Sequence, residues 1–364
     1  MLIQEKKHFS QLTGLRAIAA YMVYFFHTLS STHIPADNVF DYILQTGYIG
    51  VSVFFVLSGF LICYRYSDNF KLSKQWFQNY MINRIARIYP LFFILTVFTF
   101  IYNHYFEIEK NDFIIVFSNL TFIRGYFNNF LFTGITQGWS LTVEETFYVL
   151  APLLFLVINK KKSLLFLFLI FVTVGVSLVF VFRTINFYGF MNDFKFMINY
   201  TFFGRCLEFL LGIKIALLFK TQQELPFKLK NYTYMGIVLM MLVVLIMSLS
   251  KAFVFESNIM THEIIMALSN NLFFPFGVAC FMYGLIVEKS LINKLFSTTI
   301  FQVLGKSSYA FYLIHVGFIS YFIGNYFQTP LIVHFVIINV LSIIFYYFIE
   351  NPMNKLIRKI AVKK

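Results

Sequence analysis

Charge is what this sequence has least of. Only 12% of its 364 residues are charged, where a soluble globular protein carries about 25%. That shortage excludes an ordinary soluble fold, and no polar region is long enough to make a separate soluble domain. Cysteine is also rare. Cys63, Cys206 and Cys280 lie in or beside apolar runs without the spacing of a metal site, so they are expected to pack as buried thiols and no metal is expected. No small-residue cleavage site follows the short basic start MLIQEKKHFSQ. The first apolar run is therefore expected to stay as a helix and not to be removed as a signal peptide. No internal repeat stands out, and no pair of Gly/Pro-broken spans in matching halves marks a transporter.

What is present is apolar. Hydrophobic residues make up 59% of the chain and aromatics 21%, with 51 Phe. Ten apolar stretches run approximately over 12–30, 48–65, 88–106, 140–158, 164–183, 202–219, 232–250, 268–287, 303–324 and 330–349. They predict an all-α fold: a polytopic membrane helical bundle of about ten transmembrane helices in a single domain, 1–364. With the N-terminus in the cytoplasm, twenty Lys and Arg fall in the inner segments and five in the outer ones. The excess of inside cations predicts both termini cytoplasmic. It also accounts for the net charge of +13 without nucleic acid. Phe113–Arg124 (FIIVFSNLTFIR) is apolar but too short to span upright, so it is expected to be re-entrant or interfacial on the outer side.

Against this background the ionisable residues inside apolar runs matter, because such groups are costly in a membrane and are functional candidates by default. Arg16 and His27 share the first span, roughly 16 Å apart along a helix axis, about half of a ~30 Å hydrocarbon core. Arg84 and Arg87, three residues apart, share a helical face at the cytoplasmic start of the third span. With Arg16 they make three guanidiniums suited to a phosphate-bearing ligand. Trp139 suits an interfacial anchor. Glu144 and Glu145 follow within two turns, at the outer level expected for His27, where a carboxylate would fix the imidazole tautomer and raise its basicity. Neighbouring residues point about 100° apart on a helix, so which of the two meets His27 stays open. His315, in the ninth span, reads as a hydrogen-bonded core histidine or a further site residue. Arg205 and Glu208, at i,i+3, are expected to pair structurally. Gly47, Gly50 and Gly59 are expected to let helices approach closely.

Taken in order, LTGLRAIAAYMVYFFH, GYIGVSVFFVLSGFLI, Arg84–Ile85–Ala86–Arg87, WSLTVEETFYVLAPLL, SYAFYLIHV and the closing FIENP resemble acyltransferase family 3, the membrane-bound O-acyltransferases that modify bacterial surface glycans. Thr13 and Ser52 depart from it, standing where many members carry an acid. The resemblance implies acetyl-CoA (acyl-CoA) as co-substrate on the cytoplasmic side, and a surface polysaccharide or its lipid-linked precursor as acceptor. It places the protein among the lipids of the bacterial cytoplasmic membrane. It implies His27 as base, oriented by Glu144 or Glu145, and Arg16, Arg84 and Arg87 on the donor. Trp139, Ser308, Tyr309 and His315 are expected to line the acceptor side. Many members carry a further soluble domain; this chain stops after Lys364 and resembles the stand-alone type. The rival reading is a transporter or flippase for a lipid-linked saccharide.

Overall fold

The computed structural model describes residues 8–31, 39–106, 108, 112–159, 163–185, 187–223 and 231–362. Several cations in the inside-outside count (Lys6, Lys7, Lys110, Lys160, Lys161, Lys162, Lys228, Lys230, Lys363 and Lys364) lie outside the described residues. Along the chain run α1 (Ser10–Ser31), α2 (Val39–Leu44), α3 (Gly50–Tyr66), α4 (Lys74–Tyr105), α5 (Phe113–Leu120) and α6 (Trp139–Asn159). Then come α7 (Leu164–Phe182), α8 (Phe194–Tyr200), α9 (Phe202–Thr221), α10 (Tyr232–Phe253), α11 (Ile259–Leu268) and α12 (Phe274–Val287). The last are α13 (Leu291–Phe296), α14 (Thr299–Ile314), α15 (Phe318–Tyr321), α16 (Leu331–Phe345) and α17 (Asn351–Val362). π turns join α11 to α12 and α16 to α17, so 259–287 and 331–362 are each continuous.

This is an all-α, multi-pass membrane protein. Among the described residues, seven helical stretches are long and apolar enough to cross a membrane. Three other apolar stretches are helical but outside that set. α1 carries Arg16 and His27, α9 carries Arg205, Glu208 and Lys214, and α14 has only 16 residues. The ninth expected span, 303–324, is corrected here: its helix stops at Ile314, and Gly317 has φ +97°, a conformation that suits glycine and ends a regular helix. Phe113–Leu120 forms an eight-residue helix, about 12 Å long and too short to cross.

The chain divides into two compact units, residues 1–69 with 207–306, and 70–206 with 307–364. In the first unit, helices touch backbone to backbone at glycine. A Cβ on Gly50 would lie 2.3 Å from the Ala19 carbonyl of α1. On the far end of α3, a Cβ on Gly59 would lie 2.1 Å from the Phe209 carbonyl, and one on Gly212 of α9 would lie 2.1 Å from the Val56 carbonyl. Thus α3 is held between α1 and α9 by small residues, as membrane helices lacking a hydrophobic drive require. Lys220 closes the end of that pair, donating to the Cys63 carbonyl, Ser67 Oγ (2.7 Å) and Asp68 Oδ1 (2.8 Å). The three cysteines are buried thiols.

In the second unit, α5 and the turns after it form an outer segment folded down onto α4 and α6. Phe122 stacks on Phe92 at 4.3 Å, the Gly125 amide donates to Thr142 Oγ1, and the Tyr126 hydroxyl meets Thr146. Thr146 is seven residues into α6, about 10 Å from its start, so the segment is re-entrant along α6. Arg124 ties it together. Counted as an outer surface cation in the sequence, it is 1% exposed and donates to Asn119 Oδ1 and to the carbonyls of Thr133 and Ile135. Only a guanidinium offers a rigid fork to several acceptors at once. Arg124→Ala is expected to destabilise the protein by about 2–3 kcal/mol, with Arg124→Lys recovering only part of it. Thermal unfolding of the detergent-solubilised variants checks this; an unchanged midpoint for Arg124→Ala would refute the role.

Candidate active site

Helix α1 is unbroken across Arg16 and His27, both half-buried. Eleven residues make three turns plus about 20°, so the two side chains leave nearly the same face roughly 16 Å apart. Both belong to the first unit, and the other charged candidates belong to the second.

There the structure gathers more charge than expected. Arg84 is buried on α4, with its guanidinium 5.8 Å from the ring centre of Tyr148 on α6. The Tyr148 hydroxyl donates to Glu144 Oε1. Glu145 lies in the field of both Glu144 and Arg84, and Tyr148 in that of Glu144, Arg84 and Arg87. From α14, Tyr309 comes within electrostatic reach of Glu144, Glu145, Tyr148 and Glu350. Glu350 is buried and closes the π turn between α16 and α17. Two arginines, three glutamates and two tyrosines thus share one interior region. A cluster of this kind is expensive in a membrane, and apolar residues of similar volume would commonly be as stable or more so.

Helix ends position it. Gln137, just before α6, donates from Nε2 to the carbonyls of Tyr312 and Leu313, both at 2.8 Å. These are C-terminal carbonyls of α14, which lack helical partners. In return the Tyr312 hydroxyl donates to the Gln137 carbonyl (3.1 Å) and meets Ser140 Oγ (2.8 Å). The start of α6 and the end of α14 are thereby clamped. His315 is the next residue after α14. It is buried, stacked on Phe311, with Nδ1 2.9 Å from the Tyr312 carbonyl. That bond puts the proton on Nδ1 and leaves Nε2 as the acceptor.

The other acceptor-side candidates are occupied structurally. Trp139 packs edge-on against Tyr200 at 5.0 Å and against the core of Leu131, Val179, Met191, Phe196 and Met197. The Tyr309 hydroxyl donates to the Ile88 carbonyl of α4 at 2.8 Å, and Ser308 is buried.

One feature of the expected layout is corrected. The sequence puts Arg84 and Arg87 at the cytoplasmic mouth and Glu144 and Glu145 toward the outside. The structure puts the arginines in the same cluster as the carboxylates. Helix α4 is 32 residues long and Arg84 is ten residues into it, roughly 15 Å from its start, so the arginine is no longer at an end. Sequence reading also missed Tyr148, Glu350, Gln137 and Tyr312. Tyr148 was findable as the i+4 neighbour of Glu144, and Glu350 as an acid closing an apolar run. The Gln137 clamp has no local signal, since its partners are 175 residues away.

Helices of this length around buried charge define a multi-pass membrane protein with a polar interior site. The acyltransferase domain family matches residues 9–350, and the chain belongs to that family. SACOL0978 of Staphylococcus aureus strain COL, provisionally named an O-acetyltransferase, is 29% identical over 391 positions, covering 97% of this chain and 58% of that protein. The O-acetyltransferase OatA of S. aureus strain NCTC 8325 is 28% identical over 375 positions, covering 94% of this chain and 57% of OatA. The chain thus spans less than three fifths of the length of these curated relatives. No solved structure matches it.

Proposed function

We propose that this protein is a membrane-bound O-acyltransferase of the bacterial cytoplasmic membrane. It moves an acetyl group from cytoplasmic acetyl-CoA to a hydroxyl of a cell-surface polysaccharide or its lipid-linked precursor. The observation that carries this reading is the buried Arg84–Tyr148–Glu144 cluster with Glu145 and Glu350, in a chain of the acyltransferase family whose relatives are named O-acetyltransferases.

His27 is the base we assign. A neutral imidazole nitrogen takes the proton of the acceptor hydroxyl as its oxygen attacks the thioester carbonyl. The new C–O bond forms, the C–S bond breaks, and the imidazolium returns the proton to the departing CoA sulfur. An alternative first step has the imidazole accept the acetyl group and pass it to the hydroxyl. Arg16 and Arg87 face the donor, and Arg84 holds Glu144 and Glu145 in their charged arrangement. Those two carboxylates serve the proton transfers.

Purified protein in detergent should bind CoA and release it from acetyl-CoA only when a glycan acceptor is supplied. Acceptor movement without CoA release would instead identify a transporter. Arg16→Lys is expected to retain more activity than Arg16→Ala, because a cation stays near the donor. If both variants match the wild type, Arg16 merely reaches its charge to the membrane surface.

A further inference from the structure

Helix α4 and the continuous stretch Leu331–Ala361 hold 32 and 31 residues, about 48 and 46 Å of helix, well beyond a ~30 Å hydrocarbon core. The first turns of α4 pack along α17, where Arg358 Nη2 approaches the Asn83 carbonyl at 3.5 Å. α17 is amphipathic and carries Lys355, Arg358 and Lys359. Between the two helices lies a cleft of about 1080 Å³. Its polar lining is Lys74, Gln75, Gln78, Asn79, Asn83 and Arg358, with apolar walls that include Phe77 and Ile82, and none of its lining residues is acidic.

The cleft continues toward the charged cluster. Gln75, Asn79, Asn83 and Arg87 stand four apart and so share one face of α4, a polar stripe about 18 Å long. The neighbouring face, with Tyr80, Arg84, Ile88 and Leu91, is buried. Arg84 is surrounded by carboxylates and is not the group that meets the donor's phosphates. Cations unmatched by lining acids are found instead at Lys74 and Arg358.

We propose that this cleft binds the phosphate-bearing nucleoside head of the acyl donor, a proposal that rests on the acyl-CoA reading above. Lys74 and Arg358 take the phosphates. The four amides, which offer donors and acceptors together, take the base and ribose. The remaining arm lies along Gln75–Asn79–Asn83–Arg87 toward Glu144 and Glu145. A phospholipid head group calls for cations alone, so the amide lining favours a nucleotide. The volume is at the upper end of small-molecule sites, about 300–1,000 Å³.

The test is calorimetric titration of CoA into the full chain in nanodiscs made with and without phosphatidylglycerol. The double variant K74Q/R358Q is expected to bind CoA at least about 10-fold more weakly, from two lost charge-assisted bonds. K74R/R358K is expected to restore most of the affinity, which a fold defect would not allow. Wild-type affinity in K74Q/R358Q overturns the proposal while CoA binding by the wild type leaves the functional reading standing. A wild type that neither binds nor releases CoA overturns both. Competition by phosphatidylglycerol that disappears in K74Q/R358Q would assign the cleft to lipid and overturn the nucleotide assignment.

Discussion

Replacing His27 by Ala is expected to abolish measurable acylation of the cell-surface polysaccharide while leaving the protein in the membrane. General-base catalysis is commonly worth about 10²–10⁴-fold, and transfer through an acyl-imidazole would fail altogether. The side chain is half-buried near the end of an unbroken helix, and α1 meets α3 through Ala19, not through this residue. The loss should therefore be catalytic and not structural. Acetyl content of purified surface polysaccharide from a deletion strain carrying the variant, normalised to membrane protein level, is the measurement. Normal acetylation in His27→Ala would sink the catalytic assignment. A parallel fall in protein level and acetylation would show a structural role instead.

Replacing Arg84 by Met is expected to be the most destabilising single change in the second unit. Arg84 is 3% exposed and sits against Tyr148, whose hydroxyl is bonded to Glu144. Removing the guanidinium leaves Glu144, Glu145 and Glu350 in the interior with only Arg87 to balance them. Breaking a buried ion pair from one side costs about 3–5 kcal/mol, a large share of a total stability of roughly 5–15 kcal/mol. The companion change distinguishes charge imbalance from lost packing. In R84M/E145Q a cation and an anion leave together, so the thermal midpoint should recover by more than half, a coupling expected of contacting residues. Equal midpoints for R84M and R84M/E145Q would mean that shape, not charge, is what Arg84 contributes. Activity should remain lost in both variants, since each has lost part of the cluster assigned to the reaction.

The two outcomes bear on different links. His27 tests chemistry carried by one helix, and its candidacy was already plain in the sequence: an imidazole in an apolar run has few reasons to be there. Arg84 was also visible, but as a surface clamp. An arginine pair beside Lys74 reads as an inside flank because hydropathy says how long a helix is, not how far it slides past its neighbours. The same limit explains Arg124, which reads as an outer cation and is in fact the knot of the re-entrant segment. It also explains Trp139 and Tyr309, whose side chains are committed to Tyr200 and to the Ile88 carbonyl.

The sequence by itself determined that this is an all-helical membrane protein, where its apolar stretches lie, and that Phe113–Leu120 is too short to span. These follow from composition and local periodicity, which act over a few turns of chain. It also showed which ionisable side chains stand in costly places, Arg16 and His27 first among them. Tertiary structure alone decided which of those groups meet. It brought Arg84 to Glu144 through Tyr148, added Glu350 from the far end of the chain, and set Gln137 on the carbonyls that end α14. The physical reason is that buried charge and unpaired carbonyls must find partners wherever packing supplies them. Those partners lie tens to hundreds of residues away, at distances no local pattern encodes.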